Sequence, residues 1–164
     1  MLSKPRLCLP RRAAFCGVLA LVGCGFTPVY APGGAGDLLQ NNIAFTSPET
    51  VDGYVLRQRL VDRFGRASTP DFTLEVLLSS ERDAATVTTD GDTTRFDIIG
   101  IAAWTLIEVA TGTSRTGRAQ TFTSYSTTGS TVATQTAETD AERRLSVALA
   151  DLIGAQLITA VTAQ

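Results

Sequence analysis

Phe96 to Val109 is an almost continuously apolar run, rich in isoleucine. Successive side chains of an extended strand point to opposite faces. Phe96, Ile98, Ala102, Trp104 and Leu106 therefore share one face, and Ile99, Ile101, Ala103 and Ile107 the other. A strand that is apolar on both sides belongs inside a sheet. Either layers of structure cover both faces, or one face is left as an apolar surface of the kind that marks a partner site. The tether or loops could also supply the cover.

The neighbouring segments say what that sheet contains. Upstream, Phe72, Leu74, Val76 and Leu78 alternate with Thr73, Glu75, Leu77 and Ser79, which is the period of a strand. Asp90-Gly91-Asp92 lies between the two runs and predicts the tip of a long hairpin. Thr111-Gly112 predicts a second turn into a Thr-rich strand over Arg115 to Tyr125, with Ser126 to Gln135 as a Ser/Thr loop. Asn42 to Thr46 predicts a short first strand. Ser47-Pro48-Glu49 then offers an N-cap, a proline at the first helical position and an acid in the first turn. Val51, Val55, Leu56, Leu60 and Phe64 continue at helical spacing until Gly65. Thr139-Asp140-Ala141-Glu142 has the pattern of a capping box, and Leu145, Leu149, Leu152, Ile153, Leu157 and Val161 mark one face of a second helix. The order β-α-β-β-β-α predicts an α+β two-layer sandwich. Its sheet would be about four-stranded and antiparallel or mixed, with two helices on one face.

The N-terminus is built differently. Met1 to Arg12 carries Lys4, Arg6, Arg11 and Arg12 without an acid, and Ala13 to Val22 is apolar apart from Cys16 and Gly17. That is the order of a secretory signal, and its core is about half the ~20 residues a spanning helix requires. Leu21-Val22-Gly23-Cys24 closes the run and resembles a lipobox, which makes Cys24 the lipidated first residue of the mature chain. Acyl chains on Cys24 would anchor the protein without its spanning the bilayer. Gly25 after the cysteine favours the outer membrane. Residues 1–23 are thus expected to be a signal peptide, 24–36 a Gly- and Pro-rich tether, and 37–164 one domain.

Cleavage would also reshape the chemistry. It removes four of the 14 basic residues and none of the 16 acids, leaving a net side-chain charge of −6. The mature chain would have no lysine, no histidine and no cysteine except Cys24. Nucleophilic triads need an imidazole or a lysine, and zinc or copper sites draw on His and Cys. No metal, no cofactor and no catalytic residue is expected. An acidic domain without a basic cluster equally lacks the footprint of nucleic-acid binding.

The lipobox, the segment Cys24-Gly25-Phe26-Thr27-Pro28-Val29-Tyr30 behind it and the element order across residues 42 to 162 together resemble the LptE family of lipopolysaccharide-assembly lipoproteins, in its alphaproteobacterial form. The resemblance implies a protein lodged in the outer-membrane β-barrel LptD, assisting that barrel's assembly and lipopolysaccharide delivery to the outer leaflet. Ile99, Ile101 and Ile107 are the candidate partner surface, and the Thr-rich hairpin suits a polar barrel lumen. The family's lipopolysaccharide contacts are basic residues at the hairpin tip and before the last helix. Here those positions read Thr88-Thr89-Asp90-Gly91-Asp92 and Gln135, so the match fails there. Arg95 and Arg118 are the nearest cations that could pair with phosphate, surface ion pairs being their alternative use.

Other classes of function find less support. Asp90 and Asp92 supply two carboxylates where a calcium loop needs about six oxygen ligands. Asp97 and Glu108 lie on one strand and, with odd spacing, face opposite sides rather than a common cleft. A periplasmic lipoprotein enzyme or a generic scaffold lipoprotein remain the alternatives, the former requiring a pocket of carboxylates with raised pKa values.

Overall fold

A computed structural model describes residues 31–87, 89 and 91–162. Cys24, the signal segment and the motif ending at Tyr30 lie outside the described residues, as do Thr88 and Asp90 of the hairpin tip. The elements in chain order are α1 (Ala35–Leu39), β1 (Ile43–Thr46), α2 (Val51–Phe64), β2 (Phe72–Val87), β3 (Thr93–Glu108), β4 (Ser114–Ser126) and α3 (Thr131–Thr162). The four strands form one sheet in the order β1-β2-β3-β4. β1 runs parallel to β2, and the remaining pairs are antiparallel. The α+β two-layer class and the mixed four-stranded sheet are as the sequence predicts. The short helix α1 is an addition that no periodicity announces.

β2 and β3 make a hairpin far longer than the alternating apolar residues alone suggest. Their pairing runs from Phe72 opposite Glu108 to Val87 opposite Thr93, with a bulge between Ala84 and Val87. At ~3.3 Å per residue the hairpin is about 50 Å long. β1 pairs only with Phe72 to Glu75, so α1, β1 and the start of the described chain stand at the end opposite the hairpin tip.

One face of the sheet carries the core. Leu74 and Val76 of β2, Ile98, Ala102, Trp104 and Leu106 of β3, and Ala119 and Tyr125 of β4 are buried beneath the helices. α2 contributes Leu56, Leu60 and Phe64, and α3 contributes Leu145, Leu149, Ile153, Leu157 and Val161. Leu152, on the edge of that predicted stripe, is 39% exposed. α3 is long and apolar enough to cross a bilayer by length and composition, but its apolar stripe is used here against the sheet. The helices are tied together by Arg59, whose Nε and Nη2 donate to the Asp151 carboxylate at 2.9 and 3.1 Å.

Two close approaches set how near the layers lie. A side chain on Gly100 would meet Leu145 and Leu149 of α3 at 2.9–3.0 Å, and one on Gly117 would meet the Trp104 ring at 2.3 Å. The indole therefore lies flat over the β4 backbone, with its Nε1 donating to Gln156 Oε1 at 2.7 Å.

Both helix starts differ from the sequence reading. α2 is capped by Thr50, whose Oγ1 accepts from the Gly53 N–H at 3.1 Å, so Ser47 and Pro48 precede the cap. α3 begins at Thr131, eight residues before Thr139, with Ser130 Oγ accepting from the Ala133 N–H at 3.3 Å. Thr139 and Thr136 are interior and turn their hydroxyls back onto the carbonyls of Gln135 and Val132. Gln135 accordingly sits inside α3 instead of preceding it.

Candidate functional site

Among the described residues, nothing covers the second face of the sheet. Strand register assigns its membership row by row, since directly paired residues point the same way. Leu77, Ala103 and Arg118 form one row, Ser79, Ile101 and Gln120 the next, and Glu81, Ile99 and Phe122 the third. Among the described residues no helix covers these positions. Leu77 is 74% exposed and Phe122 63% exposed, large apolar side chains that no described layer shields. Ile99 and Ile101 are half-buried within the span from Phe122 to Leu77, and Ile107 is half-buried four residues beyond the Leu77 row. The sheet thus presents an oblique apolar stripe from Leu77 on β2, across Ala103, Ile101 and Ile99, to Phe122 on β4.

Charges border the stripe asymmetrically. Glu75, Glu81 and Asp83 stand on the β2 side, and Arg118 stands on the β4 side. Arg95 and Arg118 both lie on this face, but eight register positions separate them. At ~3.4 Å per residue that is roughly 27 Å, too far for one phosphate group to bridge. Arg95 is 3.9 Å from Asp97 Oδ1, an exposed ion pair. Asp97 also accepts from Ser124 Oγ at 2.6 Å. Among the described residues, no carboxylate lies within ion-pair distance of Arg118.

The carboxylates do not gather. Asp97 is engaged by Ser124 and Arg95 on the bare face, and Glu108 accepts from Thr111 Oγ1 at 2.6 Å at the far end of the strand. Among the described residues no cluster of three His, Cys, Asp or Glu side chains could hold a metal ion. A concavity of about 790 Å³ is an open groove between α2 and α3 lined by Tyr54, Val55, Arg59, Glu142, Arg143 and Val147 among others. The pKa of Arg59 in this groove is shifted. It is raised by its hydrogen bond and charge pairing with Asp151, so the guanidinium stays charged.

Reading the sequence alone places Ile99, Ile101 and Ile107 on one face, and the structure agrees. It misses Leu77 and Phe122. Leu77 is the out-of-phase residue of an alternating strand, and Phe122 is the large apolar residue of β4 that falls out of phase with the buried Tyr125, so each carried a signal.

The geometry has a family to match. The family model for LptE, lipopolysaccharide-assembly, matches residues 41–157, from the end of α1 to near the end of α3. The chain belongs to the LptE family. No curated protein gives a match. Among solved structures, the chain resembles one assigned as a lipoprotein from Caulobacter crescentus, at 21% identity and a TM-score of 0.64, covering 80% of this chain and 98% of that one. Rare lipoprotein B from Shewanella oneidensis is similar at 12% identity and a TM-score of 0.58, covering 73% and 93%. A minor lipoprotein from Acinetobacter baumannii aligns at 22% identity and a TM-score of 0.51, covering 73% and 91%. At such identities the likeness shows a shared fold. LptE membership assigns the chain to lipopolysaccharide assembly in the cell envelope, a family of assembly lipoproteins and not of enzymes.

Proposed function

We propose that this LptE-family chain is an outer-membrane lipoprotein that seats within an LptD-type β-barrel, assists that barrel's assembly and supports passage of lipopolysaccharide to the outer leaflet. The observation that carries the reading is the bare sheet face, where Leu77 and Phe122 stand exposed at 74% and 63% beside Ile99, Ile101 and Ile107. A monomer that left this stripe in water would lose the stabilisation its burial provides, about 25 cal/mol per Å² of apolar area. A docked barrel wall would recover it. The role requires a shaped surface and no catalytic group.

Co-purification from native outer membranes tests the proposal. The native chain should bring down a large β-barrel. Leu77→Glu combined with Phe122→Glu should abolish recovery of the barrel while the variant remains folded. Isolation of the native protein with no barrel, or full barrel recovery by the double variant, would remove the docking surface from consideration.

Cys24 supplies the anchor in this reading, and Cys24→Ala should release the chain from membranes that lack the barrel. Arg95 and Arg118 are offered as separate phosphate contacts, given the distance between them. Retained lipopolysaccharide binding in a variant carrying Arg95→Ala and Arg118→Ala would refute that assignment.

A further inference from the structure

The outer edge of β4 has a gap in its hydrogen bonding. Thr127 N–H donates to the Thr94 carbonyl, and Glu108 N–H donates to the Thr113 carbonyl, which fixes the phase of the β3–β4 ladder. In an antiparallel pair, hydrogen-bonded and non-bonded positions alternate. The odd-numbered residues of β4 therefore bond to β3, and the backbone groups of Thr116, Arg118, Gln120, Phe122 and Ser124 point away from the sheet. α3 satisfies two of these carbonyls. Gln156 Nε2 donates to the Arg118 carbonyl at 3.1 Å, and Arg144 Nη2 donates to the Ser124 carbonyl at 3.3 Å. Between those two caps, nothing among the described residues pairs with the outward groups of Gln120 and Phe122.

Edges of this kind are normally blunted by proline, bulges or inward charges. β4 has no proline and no bulge over Ser114 to Ser126, its register with β3 is unbroken, and its inward charge, Arg115 opposite Leu106, lies five residues before Gln120. β2, by contrast, carries a bulge near its tip. β4 also has Arg115 and Arg118 and no acid, in a chain with an excess of acids. The side chains of Arg118 and Phe122 flank the window on the bare face, four residues apart.

We propose that the Gln120–Phe122 window accepts an added β-strand, antiparallel to β4, from a partner carrying an aliphatic residue opposite Phe122 and, four residues later, an acidic residue opposite Arg118. Main-chain bonds to Gln120 and Phe122 supply the pairing, and the two side-chain contacts set register and direction. The Arg118 guanidinium, which has no carboxylate of its own nearby, meets one from the incoming strand. Although Phe122 also belongs to the proposed docking face, the readout here is peptide pairing with the β4 backbone and not recovery of a barrel, so the failure of one is separable from that of the other.

The test uses the full mature chain and a labelled peptide of roughly nine residues, threonine throughout except for isoleucine at the third position and glutamate at the seventh. Fluorescence anisotropy should show saturable binding, with slowed amide exchange at Gln120 and Phe122. Arg118→Glu should weaken binding by about tenfold or more, and placing arginine at the peptide's seventh position should restore it. N-methylation of the peptide at its third and fifth residues should abolish it. Absence of saturable binding at millimolar peptide, or indifference to the charge swap, overturns the proposal. A chain that sediments alone as a dimer, and becomes monomeric with Phe122→Lys, would mean that the edge pairs with a second copy, and that outcome overturns it too.

Discussion

Trp104 shows how a single residue couples the two layers. Its ring lies on Gly117, its Nε1 donates to Gln156, and Gln156 in turn donates to the Arg118 carbonyl. Gly117→Ala places a methyl group 2.3 Å from the ring and should lower unfolding free energy by about 1–3 kcal/mol in urea titration. Unchanged stability would mean that the indole moves freely. Trp104 was legible in the sequence as one member of an apolar face. Gly117 was not, because its requirement comes from a ring on the neighbouring strand, which no local pattern records. Electrostatics at this scale predicts an insensitive protein. The folded pKa of Arg59 is raised, so the stability it contributes is present below the unfolded value and lost only in strong alkali. With no histidine in the chain, the melting temperature should stay level between about pH 6 and 9, as differential scanning calorimetry can check. A step near pH 6.5 would contradict this.

Among the elements, α3 separates pattern from structure most clearly. Thr139 and Glu142 have the spacing of a capping box, yet the helix starts at Thr131 with Ser130 as its cap. Thr131 and Thr134 read as loop because threonine competes for local backbone bonds. Here Thr136, Thr139, Thr159 and Thr162 direct those bonds onto the carbonyl four residues back, which is compatible with helix. Substitution distinguishes the two assignments. Ser130→Ala should cost about 1 kcal/mol, while Thr139→Ala should be neutral or slightly stabilising, both by chemical denaturation. A loss at Thr139 equal to that at Ser130 would restore the shorter helix. Strands were more legible than helix ends because period two survives over many residues, whereas a cap is a single side chain with several imitators.

The whole molecule is two layers where three would fit. Leu74→Ala, on the covered face, should cost about 2–5 kcal/mol, whereas Leu77→Glu, three residues away on the bare face, should change stability by about 0.5 kcal/mol or less. Equal effects would mean that both faces are buried in the isolated protein. That contrast was half visible beforehand. The sequence shows that β3 is apolar on both sides, but which side is covered depends on α3 reaching the β3 face that carries Gly100, and on the close contacts that its missing side chain permits.

The hairpin of β2 and β3 has a mechanical consequence. The described chain starts beside β1, at one end of the sheet, and Thr89 and Gly91 stand at the other, about 50 Å off along the strands. With the proposed Cys24 anchor, the hairpin would act as a probe rod whose tip samples a depth fixed by strand length. Shortening the rod by matched deletions in β2 and β3 would change how far it reaches without altering the core. Spin labels at Ala35 and Thr89 would read that length directly.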